Sequence, residues 1–275
     1  MTTATLAFIG GGNMARSLIG GLIADGYPAG HIWVADPDKE RLAELAAAFG
    51  IRVTPDNAEA ASVAEAVVLA VKPQVMRSVA ESLRGLIAHR APLVISIAAG
   101  VRESDLDRWL GGSAAIVRCM PNTPALVQSG ATALYGNSRV SAAQRDIAES
   151  LLRAAGITRW VDDEQLLDAV TAVSGSGPAY FFLFIEMLEH SARELGLTDN
   201  TARLLALQTA LGAAKMALES SEDAATLRQR VTSPGGTTQA ALEVLEQGGI
   251  RELFDKAVRA AARRAAELGD QLGGQ

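Results

Sequence analysis

The chain has 275 residues, of which 49% are hydrophobic and only 4% aromatic, with a net charge of −6 and a pI near 5.2. That length supports one large or two ordinary domains, and the acidic balance provides no basic face for nucleic acid or an anionic membrane. Cys119 is the single cysteine, and His31, His89 and His190 are scattered, which excludes an intrachain disulfide and leaves no metal-binding pattern of thiolates or imidazoles.

The first residues, MTTATLAFIGGG, lack the basic start and cleavage site of a signal peptide. No apolar run approaches the roughly 20 residues that span a bilayer. A soluble cytoplasmic protein is the expectation. In chain order, strands are expected at 5–9, 31–35, 51–54, 66–71, 93–98, 115–120, 131–135 and 158–161, all short and rich in Val, Ile, Leu and Ala. Between them lie helical patterns such as NMARSLIGGLIADG and PDKERLAELAAAFG, each closed by glycine. Continuous apolar strands separated by helices predict a mostly parallel sheet covered on both faces.

After Asp162 the alternation stops, and helices are expected at 164–173, 178–195, 200–219, 223–230, 237–247 and 250–271. The expected domains are therefore 1–162, a dinucleotide-binding α/β domain of the Rossmann type, and 163–275, an all-α domain. The helix PAYFFLFIEMLEHSARELG is apolar almost all round in its first half, so it belongs in a core or against another chain.

The stretch TLAFIGGGNMARSLIGG reads strand, then Gly10-x-Gly12-x-x-Ala15, then helix. The first glycine permits a tight turn, the second lets backbone approach a pyrophosphate, and the third small residue lets helix and strand pack closely. The next strand ends at Asp36, for which two readings stand. As a carboxylate at the end of a second strand it would accept from a ribose hydroxyl and favour NAD over NADP. As Asp36-Pro37 it would be the N-cap and first residue of a helix. Lys39 and Arg41 lie close enough in sequence to offset a phosphate. Lys72-Pro73 ends the fourth strand, at the edge where open α/β sheets bind ligands, and SIAAG (96–100) and RCMPNTPA (118–125) end the next two. Small residues at Gly175-Ser176-Gly177-Pro178 begin the apolar helix. Out of place among the later helices is VTSPGGTTQAALEVLE, 231–246, with a proline, two glycines and two threonines in a row.

With FIGGGNMA, LAVKPQ, RCMPNTPA, AVSGSGPAYFF and TSPGGTTQAALEVLE in one order, the chain resembles the pyrroline-5-carboxylate reductases from about residue 5 to 270. The resemblance implies a Rossmann domain followed by a helical domain that intertwines with a partner, so a homodimer that often assembles into a decamer of five dimers. It implies reduction of 1-pyrroline-5-carboxylate to L-proline with NADP or NAD cofactors in their reduced forms. Gly10, Gly12, Asn13, Met14, Asp36, Ala70, Val71, Lys72 and Pro73 would then line the cofactor groove. Met120, Pro121 and Asn122 would lie by the nicotinamide, with Ser176, Gly177 and Pro178 near the ring pocket. Ser233, Gly235, Gly236, Thr237 and Thr238 would hold the substrate, with amides from Gly236 to Thr238 on its carboxylate and the Thr238 hydroxyl on its ring nitrogen. Glu222 falls one residue off a family acidic position facing the substrate amine.

Two rivals differ in class. A 3-hydroxyacid dehydrogenase also joins a Rossmann domain to helices, but its Gly-x-x-x-Lys helix has no match. Gly212 to Lys215 is one residue short, and position 219 is Glu where that family has Asn. A dinucleotide sensor without catalysis would need no second small-anion loop.

Overall fold

The computed structural model describes residues 3–273. Eight strands form one sheet in the order β3-β2-β1-β4-β5-β6-β7-β8. They are β1 (Leu6–Ile9), β2 (Ile32–Ala35), β3 (Arg52–Thr54), β4 (Ala66–Leu69), β5 (Leu93–Ser96), β6 (Ala115–Met120), β7 (Gly130–Gly136) and β8 (Gly156–Trp160). Every expected strand is present. All pairings are parallel except β6 with β7, where Val117 faces Gly136 and Met120 faces Ala133. The helices between them are α1 (Asn13–Ala24), α2 (Lys39–Phe49), α3 (Asn57–Ser62), α4 (Pro73–Arg90), α5 (Glu103–Leu110) and α6 (Ala142–Arg153).

Successive strand residues point to opposite faces, and both faces are buried, which is why the strands read as unbroken apolar runs. Leu6, Phe8, Val34, Val68, Ile95 and Val117 meet Leu18, Ile19 and Leu22 of α1 and Leu151 and Leu152 of α6. Ala7, Ile9, Val67, Leu69, Val94 and Ile116 meet Met76 and Leu83 of α4 and Leu106 and Trp109 of α5. The helix ends follow their residues. Gly50, in the left-handed region at φ 66°, closes α2, and Ser141 with Gln144 forms a reciprocal cap on α6.

The later helices are α7 (Leu166–Val170), α8 (Gly177–Glu194), α9 (Asp199–Glu219), α10 (Ala224–Arg230), α11 (Thr237–Gln247) and α12 (Ile250–Gly273). A π-helical turn, Thr171–Gly175, follows α7 directly. The chain forms two compact units: one runs through Ser176 and also takes in the chain from Ala261 on, and the other is Gly177–Ala260. The first unit thus extends past the expected limit near 162, because α7 packs on β6 and β7 and the end of α12 packs on the loop after β5. There Leu268 and Leu272 lie against Gly100, and Arg102 pairs with Asp270 at 2.7 Å. The outermost two residues at each end, within the expected limits of 1 and 275, fall outside the described residues.

In the second unit α8 packs on α9, and Phe254 meets Tyr180 edge-on at 5.7 Å and Phe184 at 6.3 Å. Its core is thin: Ala202, Ala206 and Gly177 are its buried residues. Phe181, Phe182, Leu183, Met187, Leu204 and Leu211 are among its large side chains left exposed. An apolar helix without a core to enter marks a face made for another chain.

Candidate active site

The glycine turn after β1 is built for close backbone approach. Gly10 sits at φ 103°, and a Cβ there would lie 2.7 Å from the Ala70 carbonyl oxygen and 3.1 Å from Val71. Only glycine lets the turn pass so near Ala70 and Val71. Gly12 is the N-cap of α1, with no side chain capping it and no acidic residue in the first turn, which holds Asn13 and Met14. A Cβ on Gly12 would meet nothing within 4 Å. The start of this twelve-residue helix is therefore uncapped, with the positive end of its dipole opening through a glycine. Ala15, the third small residue, is buried in the core.

For Asp36 the structure overturns the second reading, the helix cap. Asp36 does not cap α2; Asp38 does, accepting from the amides of Glu40 and Arg41, and the helix starts at Lys39 rather than Pro37. Two aspartates flank Pro37, and the chain turns once more before helix begins. The buried Asp36 carboxylate accepts from the Gly11 amide at 2.8 Å, the Asp38 amide at 2.9 Å and Arg41 at 3.0 Å. Burial alone would raise its pKa, but the Gly11 and Asp38 amides and the Arg41 guanidinium overcome that and hold it below the usual carboxylate range. Asp36 therefore ties the glycine turn to the end of β2. Arg41, which also pairs with Asp38 at 3.2 Å, spends its charge on these two carboxylates.

Lys72 is exposed and is the N-cap residue of α4, with Pro73 in the first helical position, where its missing N–H costs nothing. Both lie at the carboxyl edge of the sheet beside Ala70 and Val71. Pro121 is buried, and the Asn122 side chain is committed. Its amide donates to the Ser174 hydroxyl at 3.1 Å and the Ser174 carbonyl at 3.2 Å, and its oxygen accepts from the Ala131 amide at 2.9 Å. Met120 lies against the π turn so closely that a Cβ on Gly175 would be 2.5 Å from its methyl. Asn122 and Met120 thus fix the segment after β6 to the turn that leads into Ser176. Behind them Arg118 and Glu164 form a nearly buried ion pair.

A cavity of about 340 Å³ opens at this same edge, lined by Pro73, Ala98, Gly100, Arg118, Met120 and Asp168 among others. Burial raises the Asp168 carboxyl against the pull of Arg102 and Arg118.

The second unit carries the remaining site residues: Gly177 and Pro178 in the first turn of α8, Glu222, and the loop from Val231 to α11. Gly235 takes φ 72°, a conformation that turns the chain sharply and suits glycine alone. The Gly236 amide donates to the Ser233 carbonyl at 3.0 Å. It therefore does not point outward with its neighbours, as expected from the sequence, because the Pro234-Gly235 turn closes on it. The amides left without an intrahelical partner at the start of α11 are those of Thr237, Thr238 and Gln239, above an N-cap, Gly236, that offers no side chain. A Cβ on Gly236 would lie 3.0 Å from the Ser233 carbonyl oxygen. Glu222 pairs through one carboxylate oxygen with Arg230, and among the described residues its other oxygen is buried with no hydrogen-bond partner.

Sequence reasoning did not assign roles to Gly11, Ser174, Gly175 and Gln239. The GGG run held a signal for Gly11, since only one amide can meet a carboxylate at the end of the neighbouring strand. Nothing in the local pattern marks Ser174 or Gln239.

Residues 164–268 match the model for the pyrroline-5-carboxylate reductase dimerisation domain, and 5–100 match that for NADP oxidoreductase, coenzyme F420-dependent. The chain is 52% identical over 273 residues to the pyrroline-5-carboxylate reductase of Pseudomonas aeruginosa, covering 99% of this chain and all of that one. The chain belongs to the pyrroline-5-carboxylate reductase family. A solved pyrroline-5-carboxylate reductase from Coxiella burnetii superposes with a TM-score of 0.94 at 48% identity, covering 97% of this chain and 99% of that one. The Plasmodium falciparum pyrroline carboxylate reductase, solved with NADP bound, gives 0.86 at 29% identity over 98% and 99%. As a pyrroline-5-carboxylate reductase the chain is an oxidoreductase with a Rossmann-type domain and a dimerisation domain. The dehydrogenase and sensor readings are not favoured. No described helix is long and apolar enough to cross a membrane.

Proposed function

We propose that the protein reduces 1-pyrroline-5-carboxylate to L-proline, the last step of proline biosynthesis, with a reduced nicotinamide dinucleotide. The observation that carries the reading is the 231–238 loop. Its unpaired helix-start amides and the hydroxyl-bearing Thr238 among them support a site for a small ring with one carboxylate and one nitrogen.

The dinucleotide, when bound, supplies the hydride. The chain's own work is to bind and orient. The α1 N-terminus and Gly12 hold the pyrophosphate, Asn13 and Met14 follow it along the first turn, and Asp36 meets the ribose. Ala70 to Pro73 and the Met120–Asn122 segment wall the groove, with Ser176, Gly177 and Pro178 toward the ring pocket. Ser233, Gly235 and Gly236 shape the loop whose Thr237 and Thr238 amides take the substrate carboxylate. The Thr238 hydroxyl bonds the ring nitrogen, and Glu222 faces the same nitrogen once it is an amine. A protonated cyclic imine is already electrophilic, and hydride addition neutralises it. The chain needs no histidine relay and has none in these segments. Holding two reactants in line is by itself a large part of such a rate enhancement.

NADP and NAD are both proposed cofactors. The paired state of Asp36 and Arg41 tilts the site toward NADH by leaving a carboxylate, not a free guanidinium, at the ribose. A division of labour near 162 along the sequence, nucleotide binding before it and dimerisation after it, a cytoplasmic location, a homodimer and a decamer of five dimers complete the proposal. The exposed apolar side chains of Gly177–Ala260 support the dimer, and light scattering measures the assembly. The test of function follows loss of reduced-nicotinamide absorbance with pyrroline-5-carboxylate and, separately, its formation with 3-hydroxyisobutyrate and NAD. Turnover of the first alone is expected. Turnover of the second, or of neither, overturns the reading.

A further inference from the structure

The 231–238 loop is held at its start by the Thr232 amide on the Gln229 carbonyl at 3.0 Å and the Thr232 hydroxyl on the Arg228 carbonyl at 2.6 Å. At its turn the Gly236 amide bonds the Ser233 carbonyl at 3.0 Å. A side chain from α11 adds a further hold. Gln239, in the first turn of α11, accepts from the Gly235 amide through Oε1 at 2.7 Å. A glutamine amide has a donor end and an acceptor end of nearly equal shape, so something must decide which faces the loop. Glu243 decides it. Its Oε1 accepts from the Gln239 Nε2 at 2.8 Å, one helical turn on. A carboxylate only accepts, so the NH2 group must turn toward Glu243 and the carbonyl oxygen toward Gly235.

We infer that Gln239, oriented by Glu243, is a positioning residue for the substrate loop. By drawing the Gly235 N–H back toward its own helix, it keeps Gly235 in its left-handed conformation. The amides of Thr237 and Thr238 are then the ones presented to the substrate carboxylate. The inference rests on the function proposed above.

The relay has a signature that simple loss of stability lacks. Gln239→Glu puts two carboxylates within hydrogen-bond distance, where both cannot stay ionised in place. One must take up a proton or swing away and leave Gly235 unheld. Near neutral pH, KM for pyrroline-5-carboxylate should rise about fivefold to tenfold, with kcat changed less than twofold and NADH affinity unchanged. Relative to wild type at each pH, the deficit should shrink as pH falls and the pair shares one proton. Adding Glu243→Gln exchanges the two groups: the carboxylate at 239 now accepts from Gly235 and from the new amide at 243. That double variant should return KM to within twofold of wild type, with no pH trend of its own.

Gln239→Ala serves as a variant without new charge and should raise KM by a similar factor at every pH. Melting temperatures of all four proteins check that each is folded; Gln239 is half-buried and Glu243 exposed, so folded variants are expected. Wild-type KM in both Gln239 variants, or a double variant as impaired as Gln239→Glu, overturns the inference. Absence of pyrroline-5-carboxylate turnover in the wild type itself overturns the proposed function instead, so the two failures are distinct.

Discussion

Replacing Asp36 by asparagine keeps the shape of the side chain and removes its charge, which makes it a sensitive probe of the glycine turn. The carboxylate now satisfies the Gly11 and Asp38 amides at 2.8 and 2.9 Å. An asparagine has one acceptor, so one of these amides would face an NH2 group. Losing one charge-assisted bond and stranding a buried amide costs about 2–3 kcal/mol. The Arg41 contact adds little, since that side chain is 44% exposed and half-exposed pairs contribute about 0–1 kcal/mol. For a chain of this size the loss corresponds to about 5–10 °C in melting temperature.

The pH dependence carries a sign. The folded pKa of Asp36 is lowered from an unfolded value near about 3.9. Its stabilisation is therefore fully present above the unfolded value and is lost as pH falls through the folded one. The melting difference between wild type and Asp36→Asn should be flat from neutral pH down to about 5 and shrink below about 4. Arg41 keeps only Asp38 as a charged partner in the same variant, so the NADPH-to-NADH ratio of kcat/KM should rise about tenfold, about 1.4 kcal/mol. Thermal melts across pH and steady-state kinetics with both nucleotides measure all three. An unchanged melting temperature at neutral pH would refute the clamp. An unchanged ratio would refute the placement of Asp36 at the ribose.

Gly12→Asp would set a carboxylate in the open space before α1 and should abolish binding of both nucleotides while the protein stays folded; fluorescence titration showing unchanged affinity would remove the groove. Thr238→Ala should lower kcat/KM by about 10²-fold, the scale of one positioned donor, and a variant within twofold of wild type ends that role. Gly175→Ala would displace only the Met120 methyl, 2.5 Å from the new Cβ and the end of a flexible side chain, and should cost about 1 kcal/mol or less; a larger fall in the denaturation midpoint would show that Met120 is pinned.

The strands were legible because each is an uninterrupted apolar run, and a parallel sheet buried on both faces demands that pattern. The reversal of β7 was not, since a strand's direction depends on where the chain re-enters the sheet. The glycine turn was legible in Gly10, Gly12 and Ala15, whose spacing states its own geometry. Asp36 was ambiguous because Asp36 and Asp38 flank the same proline and either could begin a helix. The bonds of Asn122 were opaque because its partner Ser174 comes from a distant segment, and Gln239 because its bond to Gly235, four residues back, depends on how the turn before α11 folds. The outward Gly236 amide was misjudged because a Pro-Gly turn folds back on its own carbonyl.

The apolar side chains along α8 and α9 make folding of this protein a question of how many copies are present. A helix layer whose buried residues are two alanines and a glycine cannot complete itself at infinite dilution. Its stability then grows with the logarithm of subunit concentration, as for any ligand that binds only the native state. In the homodimer proposed above, that ligand is another molecule of the same sequence. A freshly made chain would have to find a sibling before its apolar helices meet something else, so synthesis rate and local crowding of nascent copies set the yield of enzyme as directly as any residue in the catalytic groove.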